Sequence, residues 1–175
     1  MNYKEIGDTA KAISSFQTAI EQEPDYYDAY MQVGLLMSFQ KNDLALEYLN
    51  NALRLDSNSM EVFYAIAMHY QNKGEYQTAI QVYKDAINID PQFEHAFHNI
   101  GYIYLDLDSI DKAFKFLNLA IQVSPSYALA YYHRGKCHEI NGDYRDAMMD
   151  YQQALNFDPD LLMAREDLHK LKANI

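Results

Sequence analysis

Apolar positions along this chain recur at helical spacing, in blocks that repeat every 34 residues. Ala45-Leu46-Glu47-Tyr48-Leu49, Ala79-Ile80-Gln81-Val82-Tyr83, Ala113-Phe114-Lys115-Phe116-Leu117 and Ala147-Met148-Met149-Asp150-Tyr151 open the same phrase. A second alanine follows each after seven residues (Ala52, Ala86, Ala120, Ala154), and then come Ser57, Pro91, Pro125 and Pro159. A partial copy lies upstream in Ala12, Phe16, Ala19 and Pro24. A fixed period of this length predicts a stack of supersecondary units in place of one closed core.

Each period reads as two amphipathic helices. Val62, Phe63, Ile66, Ala67 and Tyr70 fall on one helical face, and Tyr76, Ala79, Ile80, Tyr83, Ala86 and Ile87 on a second. Gly74 ends the first helix and Asp90-Pro91 the second, since glycine accepts a left-handed terminus and proline cannot continue the hydrogen-bond ladder. Phe97, Ile100, Gly101 and Tyr104 repeat the pattern, as do Tyr131, Gly135 and His138. Gly34, Ala67, Gly101 and Gly135 recur where two helices must approach closely. Gly34 to Ala45 is one residue shorter than Gly101 to Ala113, which predicts a tighter turn near Lys41-Asn42. No strand signal is present.

The succession of aromatic, small residue, Gly-Asp-Tyr, alanine, aromatic, alanine and proline in Tyr131, Gly135, Gly142-Asp143-Tyr144, Ala147, Tyr151, Ala154 and Pro159 resembles the tetratricopeptide repeat. The resemblance covers essentially the whole chain. It implies an all-α fold, a right-handed superhelical solenoid of antiparallel helix pairs. The repeats are expected at 27–59, 60–93, 94–127 and 128–161, after a truncated first repeat at 1–26 and before a C-terminal capping helix at 162–175. In that cap, Leu161, Ala164, Leu168 and Leu171 are the expected inner stripe, and Arg165, Glu166, Asp167, Lys170 and Lys172 the outer face. The apolar face of Ile6, Ile13 and Phe16 has no predecessor in the stack, so incomplete cover there is expected, and with it a fragment of a longer array.

The net charge of −11 excludes the phosphate neutralisation on which nucleic-acid binding rests, and disfavours anionic membrane surfaces. It suits solubility or a basic partner. No stretch approaches the length of a membrane span. The one cysteine, Cys137, excludes an internal disulfide and fits a reducing, cytoplasmic setting; a periplasmic one stays open if a signal precedes this sequence.

The resemblance also places the first helix of each pair along a concave groove. Projected onto this chain, it puts Met31, Gln32, Leu35, Tyr64, Met68, His95, His98, Asn99, Tyr102, Tyr132, His133 and Lys136 there, flanked by Asp28, Phe39, Glu61, Gln71, Leu105 and Glu139. Methionine, leucine and aromatic residues are unusual on a purely solvated face and point to a partner. Relatives that clamp the C-terminal carboxylate of chaperones use fixed cations. The corresponding slots hold Tyr64, Met68, Asn99, Leu129 and His133, of which Asn99 alone matches, so that ligand is not expected.

His95 and His98 have the spacing of a metal-ligand pair, with His133 on the next such helix. No HExxH motif or cysteine pair accompanies them, and the reading assigns no metal and no cofactor. Arg134 stands where other copies have Val33, Ile66 and Ile100, and Asp150 where they have Tyr48, Val82 and Phe116. The copy with the arginine is the copy with the aspartate, which predicts a structural ion pair. Cys137 has no base beside it. The expected function is a non-enzymatic module binding a peptide or protein segment in the groove, or scaffolding an assembly. Self-association through the amino end, or a regulatory role within a larger protein, are the alternatives.

Overall fold

The computed structural model describes the backbone of residues 3–174 and the side chains of residues 8–173. Ten α-helices and no strand occur among them. These are α1 (Tyr3–Gln22), α2 (Tyr27–Phe39), α3 (Leu44–Leu55), α4 (Met60–Asn72), α5 (Tyr76–Ile89), α6 (Glu94–Asp106), α7 (Ile110–Val123), α8 (Ala128–Asn141), α9 (Tyr144–Phe157) and α10 (Leu162–Asn174). They fall into two compact units, Met1–Ile89 and Asp90–Ile175.

In the first unit α2 packs on α3 and α4 on α5, while α2 also touches α4. In the second, α6 packs on α7 and α8 on α9, α6 touches α8, and α10 lies against α9. The first helix of each pair (α2, α4, α6, α8) is called leading and the second trailing. Within each unit the two leading helices therefore adjoin and share a face.

The alanines that mark the period are the contact points of the pairs. Ala45, Ala79, Ala113 and Ala147 have no exposed surface, nor do Ala52, Ala86, Ala120 and Ala154. Opposite them stand the small residues of the leading helices. A Cβ on Gly34 would come within 2.6 Å of the Leu49 side chain, one on Gly101 within 2.8 Å of Leu117, and one on Gly135 within 2.6 Å of the Tyr151 ring. These slots accept only the smallest residues, glycine or, at Ala67, alanine, and the close approach this permits buries the large residues of the trailing helices.

The turns inside the pairs are built alike. Glu75 N donates to Tyr70 O, Ser109 N to Tyr104 O and Asp143 N to His138 O, each closing the end of a leading helix around a residue of positive φ: Gly74, Asp108 and Gly142. The shorter first turn has the same closure, Asn42 N to Met37 O around Lys41. The missing residue is taken from the start of the next helix. Ala79, Ala113 and Ala147 donate four residues back, to Glu75, Ser109 and Asp143, whereas Ala45 donates three residues back, to Asn42. The expected tightening is a 3₁₀-type first turn of α3.

Ile6 lies outside the described side chains. Ile13 and Phe16 are half-buried against Val33, Met37 and Ala45. The cap packs as its stripe predicts: Leu161, Ala164, Leu168 and Leu171 are buried with Tyr132, Tyr151 and Ala154. Asp167 departs from its expected place on the outer face, because it turns inward to accept from Tyr132 Oη at 3.0 Å.

Candidate functional site

The face shared by α2 and α4 is apolar at its centre. Gln32, Leu35 and Phe39 are exposed on α2, Phe39 by 73 %. Tyr64 and Met68 are half-buried on α4, with the Tyr64 ring 6.3 Å from that of Tyr83. Met31, expected in the groove, is instead buried against Val62, Ala65 and Ile66. Its slot lies in the seam between adjoining leading helices, where the next helix covers it.

The same correction applies in the second unit. Tyr132 is buried against Tyr151, their rings 5.6 Å apart, and His98 and Asn99 are buried as well. Tyr102 and His133 remain half-exposed and His95 exposed. Lys136 is half-buried and committed: its Nζ donates to Glu139 Oε2 at 2.9 Å and to Asp167 Oδ2 at 3.4 Å.

Three of the sequence-selected histidines are brought together, with a tyrosine the sequence did not single out. Tyr127, the residue that precedes α8, is 2.9 Å from His95 Nδ1 and 3.5 Å from His98 Nδ1 through its hydroxyl. His98 Nε2 lies 3.0 Å from His133 Nδ1, which also lies 2.9 Å from Leu129 O. The carbonyl can only accept, so His133 Nδ1 carries a proton and His98 Nε2 is left as an acceptor of it. The chain closes on Tyr102, whose ring meets that of His133 edge-on at 5.0 Å. Asn99, one turn from His95, donates from Nδ2 to His95 O at 2.9 Å.

Burial pushes the His98 imidazole down to about 3, with His133 and His95 adding like-charge opposition. Burial also pushes His133 down to about 4. Both rings are neutral at neutral pH. The unfolded chain takes protons on them near pH ~6.5 and the folded chain does not, so their contribution to stability is complete above that pH and is lost as pH falls toward 4 and then 3. Each ring loses about 2 kcal/mol of that contribution between pH 7 and pH 5, so urea unfolding is expected to show a loss of about 4 kcal/mol over that interval. The double variant His98→Tyr/His133→Asn, which takes residue types from other copies of the repeat, should lose measurably less. An unchanged pH slope in that variant would contradict the assignment.

Behind this face, Arg134 and Asp150 meet. Arg134 Nε donates to Asp150 Oδ2 at 2.8 Å and Nη2 to Oδ1 at 2.7 Å, while Nη1 donates to Asn118 Oδ1 at 2.7 Å. The Asp150 carboxylate raises the guanidinium pKa further, against the cost of burial. His138 Nε2 stands 3.8 Å from the same carboxylate. Two hydrogen-bonded pairs that also join leading and trailing helices escaped the sequence reading. Tyr83 Oη donates to Gln71 and Tyr151 Oη to Glu139 at 2.5 Å, in slots that hold Leu105 and Leu117 in the copy between. The covariation that exposes Arg134 and Asp150 exposes these pairs too.

Burial pushes the Cys137 thiol up to about 12, so it is no nucleophile at neutral pH. Among the described residues no group of three or more histidine, cysteine, aspartate or glutamate side chains is arranged to hold a metal ion, and no helix is long and apolar enough to cross a membrane.

Comparison with known proteins agrees with this architecture. A profile of the TPR repeat matches residues 69–108, and profiles of the tetratricopeptide repeat match residues 1–26, 94–127 and 128–161. The peroxisomal targeting signal receptor of Saccharomyces cerevisiae is 29% identical over 66 residues, which are 37% of this chain and 11% of that protein. The chain thus spans a small part of the length of that curated relative. Among solved structures, MamA superposes with a TM-score of 0.72 at 24% identity, covering 91% of this chain and 96% of MamA. YrrB, described as a TPR protein with an unusual peptide-binding site, gives 0.66 at 17% identity and covers 94% of this chain and 85% of its own. At these identities the two likenesses show the fold alone. The first TPR of Spaghetti (RPAP3), bound to the HSP90 peptide SRMEEVD, gives 0.61 at 26% identity over 65% of this chain and 90% of that one.

Proposed function

Because the chain belongs to the tetratricopeptide repeat family, we propose that it is a non-enzymatic protein-interaction module that holds a segment of a partner protein on its leading helices. The observation that carries this is Asn99. Its side chain is buried to 7 % exposure, its Nδ2 is committed to His95 O, and among the described residues nothing donates to its Oδ1. Oδ1 is not among the buried unpaired polar atoms, so it is open to solvent at the edge of a mostly buried amide and can accept from a peptide N–H. Around it stand the rings of Tyr102 and His133, whose desolvation on binding supplies apolar contact. The RPAP3 domain bound to the HSP90 peptide supports the reading.

The experiment is an affinity pull-down with this chain, identification of the captured protein, and titration of its binding segment against wild type and the variants Asn99→Ala, Tyr102→Ala and His133→Ala. Each substitution is expected to weaken binding by about 1–3 kcal/mol, the scale of a buried hydrogen bond or a hot-spot aromatic. Equal affinity in all three variants would remove this face from the interaction and turn attention to the trailing helices.

A further inference from the structure

We infer that the face built by Asn99, Tyr102 and His133 takes an arginine side chain, presented by a basic, apolar segment of the partner. The inference rests on the interaction reading above and adds the chemistry of what is bound.

Hydrogen-bond polarity is the first ground. His133 Nδ1 carries the ring proton, shared between Leu129 O and His98 Nε2, which fixes the tautomer and leaves His133 Nε2 as a lone pair. Asn99 spends its amide N–H on His95 O and leaves Oδ1. Among the described residues nothing donates to either atom, and both can only accept. A group that fits them must bring N–H or O–H donors, and a carboxylate brings none.

Charge is the second. Helix α6 carries Glu94 and Asp106 and no lysine or arginine. The two cations of α8 are already engaged, Arg134 by Asp150 and Lys136 by Glu139 and Asp167. Burial keeps His98 and His133 neutral at neutral pH. No uncommitted lysine or arginine on α6 or α8 meets an acidic ligand; the positive charge of Lys136, which acts on His133, is balanced by Glu139 and Asp167, and the chain as a whole carries a net charge of −11 that favours a cationic ligand.

Shape is the third. Tyr102 and His133 present half-exposed rings edge-on to each other at 5.0 Å. A guanidinium is planar, stacks on aromatic faces, is more weakly hydrated than an ammonium and carries five donors for the two open acceptors. Arginine therefore fits better than lysine.

The test uses three fluorescein-labelled peptides of one length with the same leucine and alanine positions, and with arginine, glutamate or glutamine at all others. Binding to the full chain is followed by anisotropy. The arginine peptide is expected to bind at least about tenfold more tightly than the glutamine peptide, the scale of a hydrogen bond to a charged group, and the glutamate peptide not detectably. Asn99→Ala should weaken the arginine peptide about tenfold. Tyr102→Lys, at a half-exposed position where circular dichroism should report an unaltered fold, should weaken it at least as much and strengthen the glutamate peptide.

Arginine-peptide binding that ignores both variants would be nonspecific attraction to an acidic chain and would overturn the inference, as would no binding of that peptide. If all three peptides bind alike and all weaken in Asn99→Ala, the interaction face stands and its preference for arginine falls. If an identified natural partner is also indifferent to the Asn99, Tyr102 and His133 substitutions, both readings fall.

Discussion

Replacing Arg134 by alanine is expected to lower the unfolding free energy by about 3–4 kcal/mol, as for a buried ion pair broken on one side. The arginine side chain is 23 % exposed and that of Asp150 only 8 %, so the substitution strands the more buried member. With the guanidinium gone, the nearest basic side chain is His138, whose Nε2 stands 3.8 Å from the carboxylate, too far for a short hydrogen bond. Asp150→Ala should cost less, because Arg134 retains Asn118 and partial access to water. The double substitution Arg134→Ile/Asp150→Phe restores the residues that Ile100 and Phe116 supply one repeat earlier. It should regain most of the loss, since an apolar pair of suitable volume replaces an ion pair at little cost. Chemical denaturation of the three variants checks this. A double variant as unstable as Arg134→Ala would show that the two residues are not a unit.

The second large effect is expected at Gly135. Leucine there should destabilise the protein by about 3 kcal/mol, at the upper end of overpacking, because even a Cβ would meet the Tyr151 ring at 2.6 Å and Ala147 O at 3.3 Å. Tyr151 cannot turn away: it is fully buried and its hydroxyl donates to Glu139. Alanine at the same place should cost about 1 kcal/mol or less, since its better helix propensity offsets part of the strain. An internal precedent supports that figure. In the equivalent slots of α4 and α5, Ala67 coexists with a fully buried Tyr83. Thermal unfolding of Gly135→Ala and Gly135→Leu should therefore separate widely, and equal losses would mean that the helix pair adjusts its spacing freely.

Both predictions come from residues that the periodic alignment singles out. A 34-residue repeat turns one sequence into several aligned copies. Columns of alanine then mark close contacts, and a column that changes in step with another marks a touching pair. That is why the helix pairs, the small-residue slots and the meeting of Arg134 with Asp150 were legible. The same alignment could not report which side of a leading helix adjoins the next leading helix. Met31, His98 and Tyr132 share a column, and its burial depends on the neighbouring helix covering it.

The chain from His95 through Tyr127 and His98 to His133 was illegible for a different reason. It needs the residue before one helix to reach back to side chains two helices earlier, and no periodicity encodes that. Asp167 was misplaced because a charged residue on the last helix reads as solvent-facing until the Tyr132 hydroxyl and Lys136 are seen beneath it. Burial works against that carboxylate, yet Lys170, Tyr132 and Lys136 together hold it below the usual range.

The central claim is that the face of α6 and α8 is where this protein holds its partner. Amide hydrogen exchange of the chain, alone and saturated with the partner segment recovered by pull-down, tests it most directly. The account predicts that added protection concentrates in α6 and α8, around Asn99, Tyr102 and His133, and that the triple variant Asn99→Ala/Tyr102→Ala/His133→Ala neither captures the partner nor gains protection. Protection confined to the trailing helices α7 and α9, or a triple variant that captures the partner as well as wild type does, would contradict it.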